Sequence, residues 1–210
     1  MHYMKKQAIK KIDRCIKQSI DMKLHYIPNL LTTLRISLIP IFMMTFYYPS
    51  EWQYLTTTTI FAIAAITDWL DGYLARKLSQ TSHIGAFLDP VADKLIVVVA
   101  LVLLTESYHS LIIAIPTAII VCREITISAL REWMASCGKS EKVAVSFIGK
   151  IKTTIQMIAI LLLLFKVPGF EKLTSILGYI CLYVSTFFAI WSMLEYLNKA
   201  LDELKDVVNN

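Results

Sequence analysis

The chain has 210 residues, of which 56% are hydrophobic, and its mean hydropathy is +0.58, more apolar surface than a water-soluble domain of this size can hide. Charged residues make up 18% and are clustered, so long stretches carry no charge. The net charge of +5 does not point to nucleic acid, because seven of the 21 basic residues fall in the first 23 positions, where they match anionic lipid headgroups instead.

In chain order, residues 4–24 place Ile9, Ile12, Ile16 and Ile20 at steps of three and four, with lysines and arginines largely elsewhere around the helix. This predicts an amphipathic helix over 1–26 lying in the membrane interface; a solvated basic tail is the plainer reading. Apolar runs then predict six spans near 31–48, 54–75, 86–105, 111–134, 147–166 and 174–196, each near the ~20 residues a bilayer crossing needs. The predicted fold is therefore all-α and polytopic: an interfacial helix, a six-helix membrane domain over 27–200 and a tail at 201–210. The links near 49–53 and 106–110 contain no lysine or arginine, whereas the links near 76–85 and 135–146 contain Arg76, Lys77, Lys139 and Lys142. The positive-inside rule puts both termini on the cytoplasmic side of the cell membrane, with Lys166 and Lys172 as the two exceptions. The cysteines show no metal-ligand or redox spacing and read as free thiols.

The chemistry concentrates at the cytoplasmic end of the second span, in Asp68-Trp69-Leu70-Asp71-Gly72-Tyr73-Leu74-Ala75-Arg76, and continues in Gly85-Ala86-Phe87-Leu88-Asp89-Pro90-Val91-Ala92-Asp93. On a helix Asp68, Asp71, Gly72 and Ala75 share one face, and Asp89 and Asp93 share a face of the next. A turn through 77–84 would bring the two faces together. Four converging carboxylates repel one another at low dielectric unless cations compensate them. Magnesium and manganese favour such oxygen ligands together with substrate phosphates. Gly72, Ala75 and Gly85 keep one wall free of bulk, and Arg76 can offer its fork to a phosphate.

The pattern D-x-x-D-G-x-x-A-R-x8-G-x3-D-x3-D resembles the signature of the CDP-alcohol phosphotransferase family at every fixed position. That resemblance implies a six-helix membrane bundle, usually homodimeric, whose CDP-lipid substrate is held on two divalent ions, Mg2+ or Mn2+. It makes Asp68, Asp71 and Asp89 primarily metal and diphosphate ligands. Asp93 becomes the general base, also close to the metals. Gly72, Ala75, Arg76 and Gly85 would line the CDP-lipid site.

Outside the signature, residues 27–35, 123–131 and 149–156 resemble stretches of the family's bacterial phosphatidylglycerophosphate synthases. The implied reaction is phosphatidyl transfer from CDP-diacylglycerol to sn-glycerol 3-phosphate. A small dianionic acceptor needs fixed positive charge, for which Arg123, Arg131, Lys150 and Lys152 are the candidates. For the arginines the alternative is structural ion pairing or snorkelling, and for the lysines it is positive-inside anchoring. Glu124 is offset from Arg123 by about 100° on a helix, which leaves it free to pair with another cation. Asn29 and Thr32 can hydrogen-bond the nucleotide or its phosphates, although helix capping explains Asn29 equally well. Two rivals are another acceptor alcohol (inositol phosphate, serine or phosphatidylglycerol) and a divalent-cation transporter, which would leave the small residues and Arg76 unexplained.

Overall fold

The computed structural model describes residues 33–78, 83–136, 147–166 and 169–208. The expected interfacial helix at 1–26, together with Asn29 and Thr32, lies outside the described residues. Six helices and no strand occur among them: α1 (Thr33–Tyr47), α2 (Gln53–Leu78), α3 (His83–Tyr108), α4 (Leu111–Ser136), α5 (Phe147–Leu164) and α6 (Glu171–Val208). Each coincides with one expected span. Two of them, α4 and the Glu171–Asn198 part of α6, are long and apolar enough to cross a bilayer. Large apolar side chains also point outward, with Ile125, Phe187 and Trp191 all more than half exposed, as fits a surface that meets lipid rather than water.

Local chemistry sets the helix ends. Ser50 opens α2 by accepting the Trp52 N–H on its hydroxyl and the Gln53 N–H on its carbonyl. At the α3–α4 link His109 adopts a left-handed φ of 44°, and its N–H caps the Thr105 carbonyl at 3.1 Å. Ser110 then starts α4, its hydroxyl accepting the Ile112 N–H at 3.2 Å. In α2 the threonines at 56–59 turn their hydroxyls back onto carbonyls of the preceding turn, so a polar run stays satisfied within an apolar helix. The helix α6 has 38 residues and extends through most of the stretch expected as a tail. Beyond residue 196 its sequence loses hydropathy but keeps helix-forming Leu, Lys, Glu and Ala, so the apolar run ends before the helix does.

The chain divides into two compact units, one drawn from Met1–Ile41 and Ile63–Ile96, the other from Phe42–Ala62 and Val97–Asn210. In the second unit α6 packs on both α4 and α5. Its buried face runs through Leu182, Ser185, Ala189, Ser192, Tyr196 and Ala200, at steps of three and four and mostly small, the composition that lets membrane helices approach closely. Gly178 marks a close approach: a Cβ there would stand 2.7 Å from Leu163 Cγ. At the α5 end the Tyr108 hydroxyl donates to the Leu163 carbonyl at 3.0 Å, filling one acceptor the helix terminus leaves open. Lys166, one of the two exceptions to the charge asymmetry, donates to Ser107 Oγ at 3.1 Å. Its ammonium lies 4.3 Å from the ring centroid of Tyr108 and 5.2 Å from that of Tyr54, held by protein groups and two aromatic faces.

Candidate active site

In the first unit, α2 supports Asp68 and Asp71 and α3 supports Asp89 and Asp93. Both pairs lie within continuous helix, so the i, i+3 and i, i+4 spacings do give shared faces. Of the stretch 77–84 expected as a turn, residues 77–78 and 83–84 are helical, and 79–82 lie outside the described residues. Of the four aspartate side chains the structure describes Asp68; those of Asp71, Asp89 and Asp93 lie outside the described part, as do Gly72, Ala75, Arg76 and Gly85. Among the described residues no group of three metal-ligating side chains forms.

Asp68 is 34% exposed and pairs through Oδ1 with Arg35 Nη1 of α1 at 3.4 Å. Arg35 itself is 1% exposed, so a buried guanidinium meets a carboxylate that is only partly buried. A partly exposed carboxylate is an oxygen donor of the kind a hard divalent cation takes. Sequence reasoning gave Arg35 no role. The available signal was a lone arginine at the head of an apolar run, where a charge needs a partner.

The second unit holds the other predicted group. Arg123 and Glu124 sit in the middle of α4 and Lys152 in the second turn of α5. Lys152 is fully buried and Arg123 is 6% exposed. Arg123 Nη1 donates to Glu124 Oε1 at 2.8 Å, and Lys152 Nζ donates to the same oxygen. Arg123 Nη2 donates to Ser192 Oγ of α6 at 3.0 Å, and that hydroxyl donates in turn to the Ala189 carbonyl. Among the described residues, two cations and one anion thus tie three helices together. The expectation that Glu124 pairs with another cation is met by Lys152, and its neighbour joins as well. The long Arg123 side chain swings back to the carboxylate, because the 100° offset fixes Cβ directions and not where a flexible guanidinium ends.

Arg131, two helical turns further along α4, donates to the Tyr196 hydroxyl at 3.1 Å and lies 5.3 Å from that ring's centroid. It is therefore anchored on α6 and does not join the Arg123–Glu124–Lys152 cluster through any contact among the described residues. The buried Nε atoms of Arg123 and Arg131 and Oε1 of Gln156, one turn beyond Lys152, have no hydrogen-bond partner among the described residues. Buried polar atoms left so are costly, and here they add donors and an acceptor beside fixed positive charge. The Lys150 side chain lies outside the described part.

Comparison with known proteins assigns the chain to a family. The profile of the CDP-alcohol phosphatidyltransferase family matches residues 25–191, which takes in both groups. The chain is 53% identical over 178 residues to the CDP-diacylglycerol–glycerol-3-phosphate 3-phosphatidyltransferase of Pectobacterium atrosepticum, covering 85% of this chain and 96% of that protein. It is 51% identical over 180 residues to the enzyme of that name from Salmonella paratyphi A, and 49% identical over 180 residues to the one from Escherichia coli K12, each covering 86% of this chain and 97% of the relative. With the signature intact and a match of this extent, the chain belongs to the CDP-alcohol phosphatidyltransferase family.

Proposed function

We propose that this chain transfers the phosphatidyl group of CDP-diacylglycerol to sn-glycerol 3-phosphate, giving phosphatidylglycerophosphate and CMP. The observation that carries the reading is the 53% identity over 96% of a relative whose name states this reaction, with all four aspartates of the signature in place. Arg123 and Lys152 support an anionic acceptor, since they bring two buried cations to one place.

In this reading Asp68, Asp71, Asp89 and Asp93 would hold Mg2+ or Mn2+, most simply two ions. When bound, such ions supply charge neutralisation at the diphosphate of the CDP-lipid. Gly72, Ala75, Arg76 and Gly85, with Asn29 and Thr32, accommodate the nucleotide and its phosphates. Arg123, Arg131, Lys150 and Lys152 supply positive charge for the acceptor phosphate. Asp93 accepts the proton of the primary hydroxyl of glycerol 3-phosphate. The freed oxygen bonds to the phosphorus bearing diacylglycerol as the bond from that phosphorus to the CMP oxygen breaks. Acceleration comes mainly from positioning and electrostatic stabilisation, as is general for phosphoryl transfer. The reading also takes all six helices as spans, with both termini and the aspartates on the cytoplasmic side of the cell membrane, and the working form as a homodimer.

An acceptor panel tests the choice of alcohol. Purified protein in micelles receives CDP-diacylglycerol, Mg2+ or Mn2+, and one labelled acceptor at a time: glycerol 3-phosphate, inositol phosphate, serine or phosphatidylglycerol. Lipid-borne label from glycerol 3-phosphate alone is the expected result. Transfer to a different alcohol with none to glycerol 3-phosphate overturns the acceptor assignment and leaves the family standing.

A further inference from the structure

We infer that the pocket beside Lys166 binds the phosphodiester of an anionic phospholipid, at the membrane boundary where α2 begins and α3 and α5 end. The inference rests on the proposed reading of these helices as spans. It concerns none of the residues placed in the transfer reaction.

Lys166 follows the end of α5 and is half-buried. Among the described residues it forms no ion pair; Glu171, the first residue of α6, acts on it through space without pairing with it. Of its three N–H donors one reaches Ser107 Oγ at 3.1 Å, and the Tyr108 and Tyr54 rings flank the ammonium. Neither hydroxyl nor ring carries a formal negative charge, so a cation partly withdrawn from water has no contacting counter-charge. Beside it lies a cavity of about 50 Å³, lined also by Gln53, Thr57 and Ser107. That is room for a few water-sized groups, enough for the oxygens of one phosphate and too little for a whole headgroup. Two of the other polar liners already donate inside the protein, Gln53 to the Phe46 carbonyl and Thr57 to the Gln53 carbonyl. Lys166 is therefore the group that selects the occupant, and it selects an anion. Position decides which one. Gln53 opens α2, Ser107 and Tyr108 close α3, and Lys166 follows α5, so the site stands where helices end. Tyr47, Tyr48 and Trp52, just ahead of Gln53 in the chain, are 58%, 71% and 65% exposed, as aromatic side chains at headgroup depth are. At that depth the abundant phosphate belongs to lipids. A zwitterionic headgroup brings its own ammonium to compete with Lys166, which favours an anionic one. The same contact gives a reason for a lysine on a link where the charge asymmetry predicts none.

The test is native mass spectrometry of the full chain released from detergent micelles, titrated with phosphatidylglycerol, phosphatidylcholine or inorganic phosphate. The parent, Lys166→Met, Lys166→Gln and Lys172→Met are compared, with melting temperatures recorded alongside. The parent is expected to retain one phosphatidylglycerol that Lys166→Met holds about 10–100-fold more weakly, as loss of a charge-assisted hydrogen bond implies. If Lys166→Met does not fold, Lys166→Gln decides by the same measure. Lys172, exposed at the second position of α6, has the same charge without the pocket, so Lys172→Met is expected to change retention little. An equal loss in Lys172→Met would mean a general attraction of anionic lipid and overturns the inference. Phosphatidylcholine held as tightly as phosphatidylglycerol overturns the choice of an anionic lipid. Displacement of the lipid by inorganic phosphate at equal concentration overturns the lipid source, since a free anion would then suffice. Alkaline washing of membranes tests the spanning reading separately. A chain that washes off removes that reading and the inference with it, whereas a chain that stays and keeps its lipid in Lys166→Met removes the Lys166 site alone.

Discussion

Lys152 reaches from α5 to the one Glu124 oxygen that Arg123 of α4 also holds. Both cations are buried, and the carboxylate is a counter-charge to each. Removing one partner of a buried ion pair typically costs about 3–5 kcal/mol, because the other charge is stranded. Glu124→Ala should therefore lower the melting temperature in detergent sharply. Lys152→Met added to it should cost less than the two single changes summed, with a coupling of roughly 0.5–3 kcal/mol. Additive losses would mean that the shared oxygen does not couple them.

If this cluster also supplies charge to the acceptor, Lys152→Met must affect the two substrates unequally. A charge-assisted hydrogen bond contributes about 1.5–3 kcal/mol, so the KM for glycerol 3-phosphate should rise by roughly 10–100-fold. The KM for CDP-diacylglycerol should change little. Steady-state kinetics with each substrate varied in turn make the comparison, and an equal rise in both would reassign Lys152 to a purely structural role.

Asp93→Asn tests the base. The amide is nearly isosteric with the carboxylate and cannot take up the proton. General base catalysis typically contributes about 10²–10⁴-fold, so kcat should fall within that range while CDP-diacylglycerol binding persists. A variant that binds metal and CDP-lipid normally and turns over at the parental rate would falsify the assignment.

Gly178 makes a prediction about packing alone. A methyl group there meets Leu163 Cγ at 2.7 Å and Cδ2 at 2.8 Å, and Leu163 is fully buried. Gly178→Ala should destabilise the protein by about 1–3 kcal/mol, as overpacking of a closed interface does. Shortening Leu163 to Ala in the same chain should recover part of that loss. A melting temperature equal to the parent's for Gly178→Ala would show that α5 and α6 can separate at no cost.

Hydropathy located the helices well because a bilayer crossing requires a long uncharged run, and such runs are visible residue by residue. For α4 the expected span 111–134 and the helix Leu111–Ser136 begin at the same residue. The same measure missed the last turns of α6, since a polar amphipathic helix has no hydropathy signature of its own. The aspartate signature was legible as a pattern, because its spacing along two consecutive helices is read directly from the chain. The contacts of Arg35 with Asp68 and of Lys152 with Glu124 were not. Each joins positions about thirty residues apart on different helices, and pairing at that range depends on how the helices pack. Gly178 was hidden for the same reason: a glycine in an apolar run reads as a weak helix position until Leu163 is seen against it.

The central claim is one reaction in which the nucleotide leaves as the acceptor arrives. Its most direct test follows released CMP and lipid-borne label from glycerol 3-phosphate in a single reaction of the purified protein with CDP-diacylglycerol and Mg2+ or Mn2+. The account predicts one CMP for each labelled lipid, and loss of both products together in Asp89→Ala. CMP release without lipid-borne label from glycerol 3-phosphate, or label that persists in Asp89→Ala, would contradict it.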